Sequence, residues 1–257
     1  MGIHSHIQIP NTILKHFRDE TDSEKKVWCL DIKTKTIFKK SAKRLGTAKG
    51  YYSLDGEKFW KQTIEDPIGK LNKQVLAFSA GKTQNITFNP DDMDVVKRYI
   101  LSALIRSRTA LNAMQDVIKE SEKYSSQNLH DAISIIGMEY SKEIANELNF
   151  DYMVSTVLVN RTDRSFVVPR NCFYCVERET QPNYVMPISP KTALILLPKS
   201  QLQKEFGNYA VIDKSEMIAR LNRHALKYEC LFNQEFVASN NCDELKPLQE
   251  LLFNPPW

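Results

Sequence analysis

The period of the apolar positions changes twice along this chain, and each change marks a change of element. In the first fifty residues the pattern is short-range. Ile13, Leu14 and Phe17 share one helical face behind Pro10, a residue suited to a first helical turn. The charged loop RDETDSEKK follows. VWCLDIKTKTIFKK then alternates apolar with polar positions on either side of Asp31–Lys35, which predicts a β-hairpin. Gly46 to Gly50 and the pair Tyr51-Tyr52 read as a loop or short strand.

From Gly56 to about Asn149 the period becomes helical. Phe59, Trp60, Ile64, Ile68, Leu71 and Val75 recur near every 3.6 residues, with Pro67 kinking or dividing the run. Asn89-Pro90-Asp91-Asp92 is a helix start: a capping side chain, a proline for the first turn, and two carboxylates at the positive end of the dipole. The helix behind it turns Met93, Val96, Tyr99, Ile100, Ala103, Leu104, Leu111, Met114 and Ile118 inward. A third helix is predicted from about Leu129 to Glu147.

After Asn149 the pattern is that of strands. YMVSTVLVN alternates and is β-branched, Arg161–Arg164 reads as a turn, SFVVPR as a returning strand, and YVMPISP and TALILLP as two more. A helix over about Lys214–Phe232, the run FVAS, a turn at Asn240-Asn241 and a terminal helix over Glu244–Leu252 complete the chain. The fold class is therefore α+β: a short N-terminal β-hairpin, a helical middle (55–149), an antiparallel sheet (150–200) and a C-terminal helix. The absence of a linker-like stretch predicts a single domain over 1–257.

Composition narrows the function classes only modestly. The chain is 42% apolar and 26% charged with a formal charge of +4, an ordinary globular balance with a weak pull toward polyanions. The longest apolar run, Ala193–Pro198, falls far short of the roughly 20 residues of a spanning helix, so no membrane partner is expected. Five cysteines at irregular spacing suit a reducing cytoplasm better than a disulfide framework. P-loop, GxGxxG, GxSxG, HExxH, zinc-finger and RNP patterns are missing, and neither a cofactor nor a metal is expected.

The candidate chemistry lies where apolar runs break on cations. Cys172 and Cys175 form a CxxC, but no second such pair completes a tetrahedral zinc site, and the motif ends a strand rather than opening a helix. His4 and His6 alternate on an extended segment with no carboxylate or thiol beside them; His16, His130 and His224 are scattered. Arg98 and Arg106 lie eight apart on the middle helix, about two turns, where they would grip a phosphate together or else form a solvated face with carboxylate partners. Arg108 lies just beyond them. Arg161, Arg164 and Arg170 stud the strands, and Asn171 follows Arg170. Convergence of the two arginine sets would make one anion pocket from Arg98, Arg106, Arg164, Arg170 and Asn171.

Several short motifs in fixed order give the chain a likeness. IPNTILKHF, VWCLDIKTKTIFKK, GYYS, the carboxylate-bearing helix at Glu57–Glu65, ALIRSRT, SFVVPRN, MPISPKTALILL and LNRHALKYECLFNQEFVAS together resemble the bacterial family known as domain of unknown function 4238. The resemblance covers nearly the whole chain. It implies an accessory protein of bacteria and their mobile elements, with a role in host–phage conflict as an association. It also exposes a departure: where the family's strand runs into Ser-Asp-Asn-Pro, this chain has Pro169-Arg170-Asn171-Cys172. A cation stands where the aspartate would be, and Asn171 either serves a site or shapes the turn.

Three function classes follow. The first is an effector binding a polyanion, nucleic acid or a phosphorylated ligand, through these arginines. The second is a nuclease-like or other hydrolase using Asp163, Glu57 or Glu65 near the 161–172 loop. The third is a protein-interaction module without a small ligand.

Overall fold

Every residue of the run Thr192–Pro198 is buried in the computed structural model, and that run (β9) is the middle of a five-stranded sheet. A strand covered on both faces needs a continuous apolar stretch, which TALILLP supplies. The structure describes residues 4–6, 9–49, 51–107, 150–178, 181–205, 209–231 and 235–256, with isolated positions 110, 112, 114, 131, 132, 145 and 146. The helix expected over 129–147 lies outside the described residues except for four positions, and Arg108 and His130 lie outside them altogether.

The five-stranded sheet has the order β10-β5-β9-β8-β7, from β5 (Met153–Asn160), β7 (Tyr174–Arg178), β8 (Gln181–Ser189), β9 and β10 (Tyr209–Ile212). Pairing is antiparallel except between β5 and β10, which run parallel, so the sheet is mixed rather than purely antiparallel. The crossover from β9 to β10 includes a short helix, α5 (Lys199–Glu205). The β8–β9 register shifts between Pro187 and Ser189, where proline cannot donate to the ladder.

A second, four-stranded sheet has the order β3-β2-β11-β6: β2 (Val27–Asp31), β3 (Ile37–Lys40), β6 (Val168–Pro169) and β11 (Phe236–Ser239). The predicted N-terminal hairpin is β2–β3. SFVVPR does not return alongside β5. Its two strand residues leave that sheet and pair with Val237 and Ala238 of β11. The reason lies in the 161–165 loop. Lys191 Nζ donates to the carbonyls of Thr162 and Arg164 at 2.6 Å each, Asn160 Nδ2 donates to Arg164 O at 2.8 Å, and Glu244 Oε1 accepts the Ser165 N–H at 2.9 Å. These bonds tie the loop's backbone groups to side chains and leave no ladder for a hairpin.

The helical middle begins with α2 (Leu54–Trp60), continues through a π-helical turn (Lys61–Glu65), and resumes as α3 (Asp66–Ser79) with Pro67 in its first turn. The proline therefore divides the run as its place in the sequence suggests, and the wide turn before it is the accommodation. Helix α4 (Pro90–Ile105) starts in a full capping box: Asn89 Oδ1 accepts from Asp92 N at 2.8 Å and Asp92 Oδ2 from Asn89 N at 3.1 Å. It ends at Arg106 instead of running on through Ser107.

Helix α6 (Ser215–Leu231) packs against β6, β7, β10 and β11, so it touches both sheets. The last helix, α7 (Lys246–Phe253), packs on α6. One cluster of buried apolar side chains runs from Ile9 to Leu252 through all these elements. Among the described residues no helix is long and apolar enough to cross a membrane.

Candidate functional site

The turn Pro169–Cys172 is closed by the Cys172 N–H donating to Pro169 O at 2.9 Å, and Cys172 takes a left-handed φ of 66°. An L side chain adopts that conformation only where its surroundings enforce it. The effect is to turn Arg170 and Asn171 inward, leaving them 6% and 1% exposed. The Arg170 N–H donates to Phe236 O at 3.2 Å, and Nη1 pairs with Glu235 Oε1 at 2.7 Å. Its Nε has no hydrogen-bond partner among the described residues, nor has Asn171 Oδ1.

Beneath the turn lies Glu229 of α6, fully buried, with Oε1 accepting the Asn171 N–H at 3.4 Å and Oε2 without a partner among the described residues. Burial pushes its carboxyl up to about 8, against the opposing pull of the Asn171 N–H and the Arg170 charge.

Arg106 approaches the same place from the end of α4. It is 1% exposed; its Nε donates to Ser102 O at 3.2 Å and its Nη2 to Ser102 Oγ at 3.4 Å. The Ser102 carbonyl thus accepts from both the Arg106 side chain and the Arg106 N–H, the latter at 3.1 Å, at the C-cap of the helix. The guanidinium carbon stands 4.5 Å over the Trp60 ring, a cation–π contact away from water. Tyr52 accepts a hydrogen bond from Arg106, and its ring lies 6.2 Å from that of Trp60. The π-helical turn brings Glu65 within reach: burial raises its pKa, and Arg106 acts in the opposite direction.

Both arginines act electrostatically on Tyr51. Burial pushes its hydroxyl up to about 12, while the charges of Arg170 and Arg106 both pull it down. Cys172 and Tyr99 interact on the other side, where Cys172 also senses Arg106, Glu229 and Glu65. The cluster thus draws on five segments: 51–52, 57–65, the end of α4, 170–172, and α6 with Glu235.

The remaining sequence candidates lie elsewhere. Arg98 pairs with Asp94 at 2.9 Å and borders a cavity of about 750 Å³ with Met93, Leu101, Phe150 and Met153. It does not share a site with Arg106, because eight helical residues advance about 12 Å along the axis. Arg164 pairs with Glu244 at 3.1 Å, and Arg161 is exposed with its N–H on Ile212 O. Asp163 accepts from Ser215 Oγ at 2.7 Å and senses Lys191, away from the neighbours that Glu57 and Glu65 share. His4 and His6 lie on β1 (His4–His6), paired with β4 (Thr47–Lys49), a short strand that ends just before Tyr51. None of the five cysteines forms a disulfide, and burial pushes the Cys172 thiol well up, so it resists forming a thiolate. Among the described residues no group of three or more His, Cys, Asp or Glu side chains could hold a metal ion.

Residues 6–230 match the family described as a protein of unknown function (DUF4238). The chain belongs to this family. No curated protein and no solved structure matches it. Arg170 and Asn171 fall within the residues matched to DUF4238, and both are buried.

Sequence reasoning missed Glu229, Glu235, Tyr51, Tyr52, Tyr99 and Trp60 as parts of this cluster. For Glu229 the signal was available. Ile218, Asn222, Ala225, Leu226 and Glu229 follow a helical stripe, and all five are buried. Two polar residues on an apolar stripe mark buried polar partners.

Proposed function

We propose that this protein binds a small anionic ligand, in particular a phosphorylated molecule, between Arg106 and Arg170. The observation that supports the reading is the Arg170 guanidinium, almost fully removed from water, whose Nε has no hydrogen-bond partner among the described residues; Arg106 is buried as well, and the charges of both arginines act on the Tyr51 hydroxyl. Buried cations of this kind form an arrangement that an anion stabilises. An extended nucleic-acid strand fits less well, because it is tracked by exposed cations. The more exposed arginines Arg98 and Arg164 already hold carboxylates. An effector that recognises a phosphorylated small molecule is one form the accessory role expected of the family would take.

Calorimetric titration at low ionic strength with ATP, pyrophosphate and a short oligonucleotide tests this. Binding of the small phosphates, weakened about tenfold or more by Arg170→Gln in a protein that still unfolds cooperatively, is expected. Binding of the oligonucleotide alone replaces the reading with a nucleic-acid one, and no binding of any probe ends it.

Glu65 favours a second reading, hydrolysis. Burial raises its pKa, the direction that suits a general acid, and the charge of Glu57 acts in the same direction while that of Arg106 opposes it. Turnover of a phosphate ester that Glu65→Gln abolishes while binding persists is its signature.

A further inference from the structure

The Arg170–Glu235 ion pair is lopsided. The Arg170 side chain is 7% exposed and that of Glu235 is 50% exposed, so the carboxylate can return to water where the guanidinium cannot. The bond is also incomplete. Glu235 engages Nη1, while Nε, on a group shaped for two parallel bonds to one anion, has no hydrogen-bond partner among the described residues.

Both backbones are anchored independently of this pair. The Arg170 N–H donates to Phe236 O, and Glu235 O accepts from the Ile32 N–H at 3.0 Å. Loss of the side-chain contact therefore asks only for a rotation of Glu235 and leaves the Pro169–Cys172 turn in place.

We propose that Glu235 occupies the place of a phosphomonoester dianion in the free protein, and that Arg170 exchanges the one for the other on binding. The proposal rests on the anion-binding reading above and names its ligand class and its internal competitor. Charge decides the class. With Glu235 turned out to water, the Arg170 guanidinium loses the carboxylate held by Nη1, while Nε still has no hydrogen-bond partner among the described residues. A ligand that displaces Glu235 must therefore offer this guanidinium more charge and more acceptors than one carboxylate does. A phosphomonoester near pH 7 carries about −1.5 to −2 and has three acceptor oxygens. A carboxylate or a phosphodiester carries about −1 and offers Arg170 no more charge than Glu235 itself.

Calorimetric titration of wild-type protein, Glu235→Gln and Glu235→Ala with methyl phosphate and with dimethyl phosphate tests the exchange. Thermal unfolding, expected to stay cooperative but to fall in midpoint because a buried cation loses its carboxylate, serves as the control. Methyl phosphate is expected to bind both variants about tenfold or more tightly than wild type, and every form is expected to prefer it over dimethyl phosphate by at least a similar factor. Equal or weaker binding by both variants, with wild type binding, overturns the exchange and leaves the anion site standing. Equal affinity for the two esters overturns the dianion assignment. Failure of all three proteins to bind methyl phosphate overturns the site as well as the exchange.

Discussion

Glu229 accepts the Asn171 N–H across 3.4 Å, so a fully buried carboxyl on α6 sits beneath the turn that carries Arg170. The groups around it are Arg170, the Asn171 N–H and Cys172 on the turn, Glu235 beside β11, and Tyr228 and Cys230 on its own helix. A carboxyl whose pKa rises from 4.5 to about 8 on folding binds more protons in the native state. Its stabilising contribution is complete below 4.5 and is lost as pH rises through about 8. Urea unfolding is expected to give a lower unfolding free energy at pH 9 than at pH 6, by on the order of a few kcal/mol. Glu229→Gln should flatten that dependence; an unchanged slope in the variant assigns the effect to other groups.

Asp19 has the opposite sign. Its carboxylate accepts from the Trp28 indole at 2.9 Å and from the Thr21 N–H and hydroxyl, and it pairs with Lys39 at 2.9 Å. These bonds, led by that from the Thr21 hydroxyl, hold its pKa well below the ordinary value of 3.8. The stability it confers is present above 3.8 and disappears as pH falls below that. Asp19→Asn is expected to lower stability at pH 7 by about 2 kcal/mol and to blunt the acid limb of the unfolding profile. Trp28 emission would report the local change.

Replacing Arg106 by Lys keeps the charge but removes the planar face over Trp60 and the fork that reaches Ser102. A loss of about 2 kcal/mol in denaturant unfolding is expected. Arg106→Met, which retains bulk but leaves Tyr52 and Ser102 without their donor, should lose about as much or more. Indifference to both changes would mean the stack contributes nothing to stability.

Gly56 lies against the Asp131 carboxylate, and a Cβ there would collide with it. Asp131 in turn accepts the Ser53 N–H at 3.2 Å at the start of α2. Gly56→Ala would ordinarily gain up to about 1 kcal/mol in a helix. Here it should destabilise by about 1–2 kcal/mol, because Asp131 must leave its place. Combining it with Asp131→Ala should be far less than additive in a double-mutant cycle; simple additivity would contradict the contact.

Local signals were legible in the sequence and distant ones were not. The capping box of α4 is contained within Asn89–Asp92, and β9 declares its double burial in TALILLP, so both could be read directly. The two-residue strand β6 gave no such cue, since what makes it a strand is Val237 and Ala238, nearly seventy positions away. The parallel pairing of Tyr209–Ile212 with β5 was hidden for the same reason. At the site, Arg106, Arg170 and Asn171 were visible as cations and an amide at the ends of apolar runs. Their carboxyl partners were not, because Glu229 and Glu235 meet them only through the packing of α6 and β11.

The second sheet also has a consequence for the order of assembly. β11 is laid between β2 and β6, so a strand near residue 30 and another near residue 168 acquire their common neighbour only when residues 236–239 arrive. Loop closure over such separations is slow, and synthesis proceeds from the N-terminus. A nascent chain halted before residue 235 would carry Arg170 without the Phe236 carbonyl that fixes its backbone and without the Glu235 carboxylate that pairs with it. The surroundings of Arg170 are therefore among the last parts of the molecule to mature, and such a truncated chain should hold its five-stranded sheet before the Arg170–Glu235 pair can form.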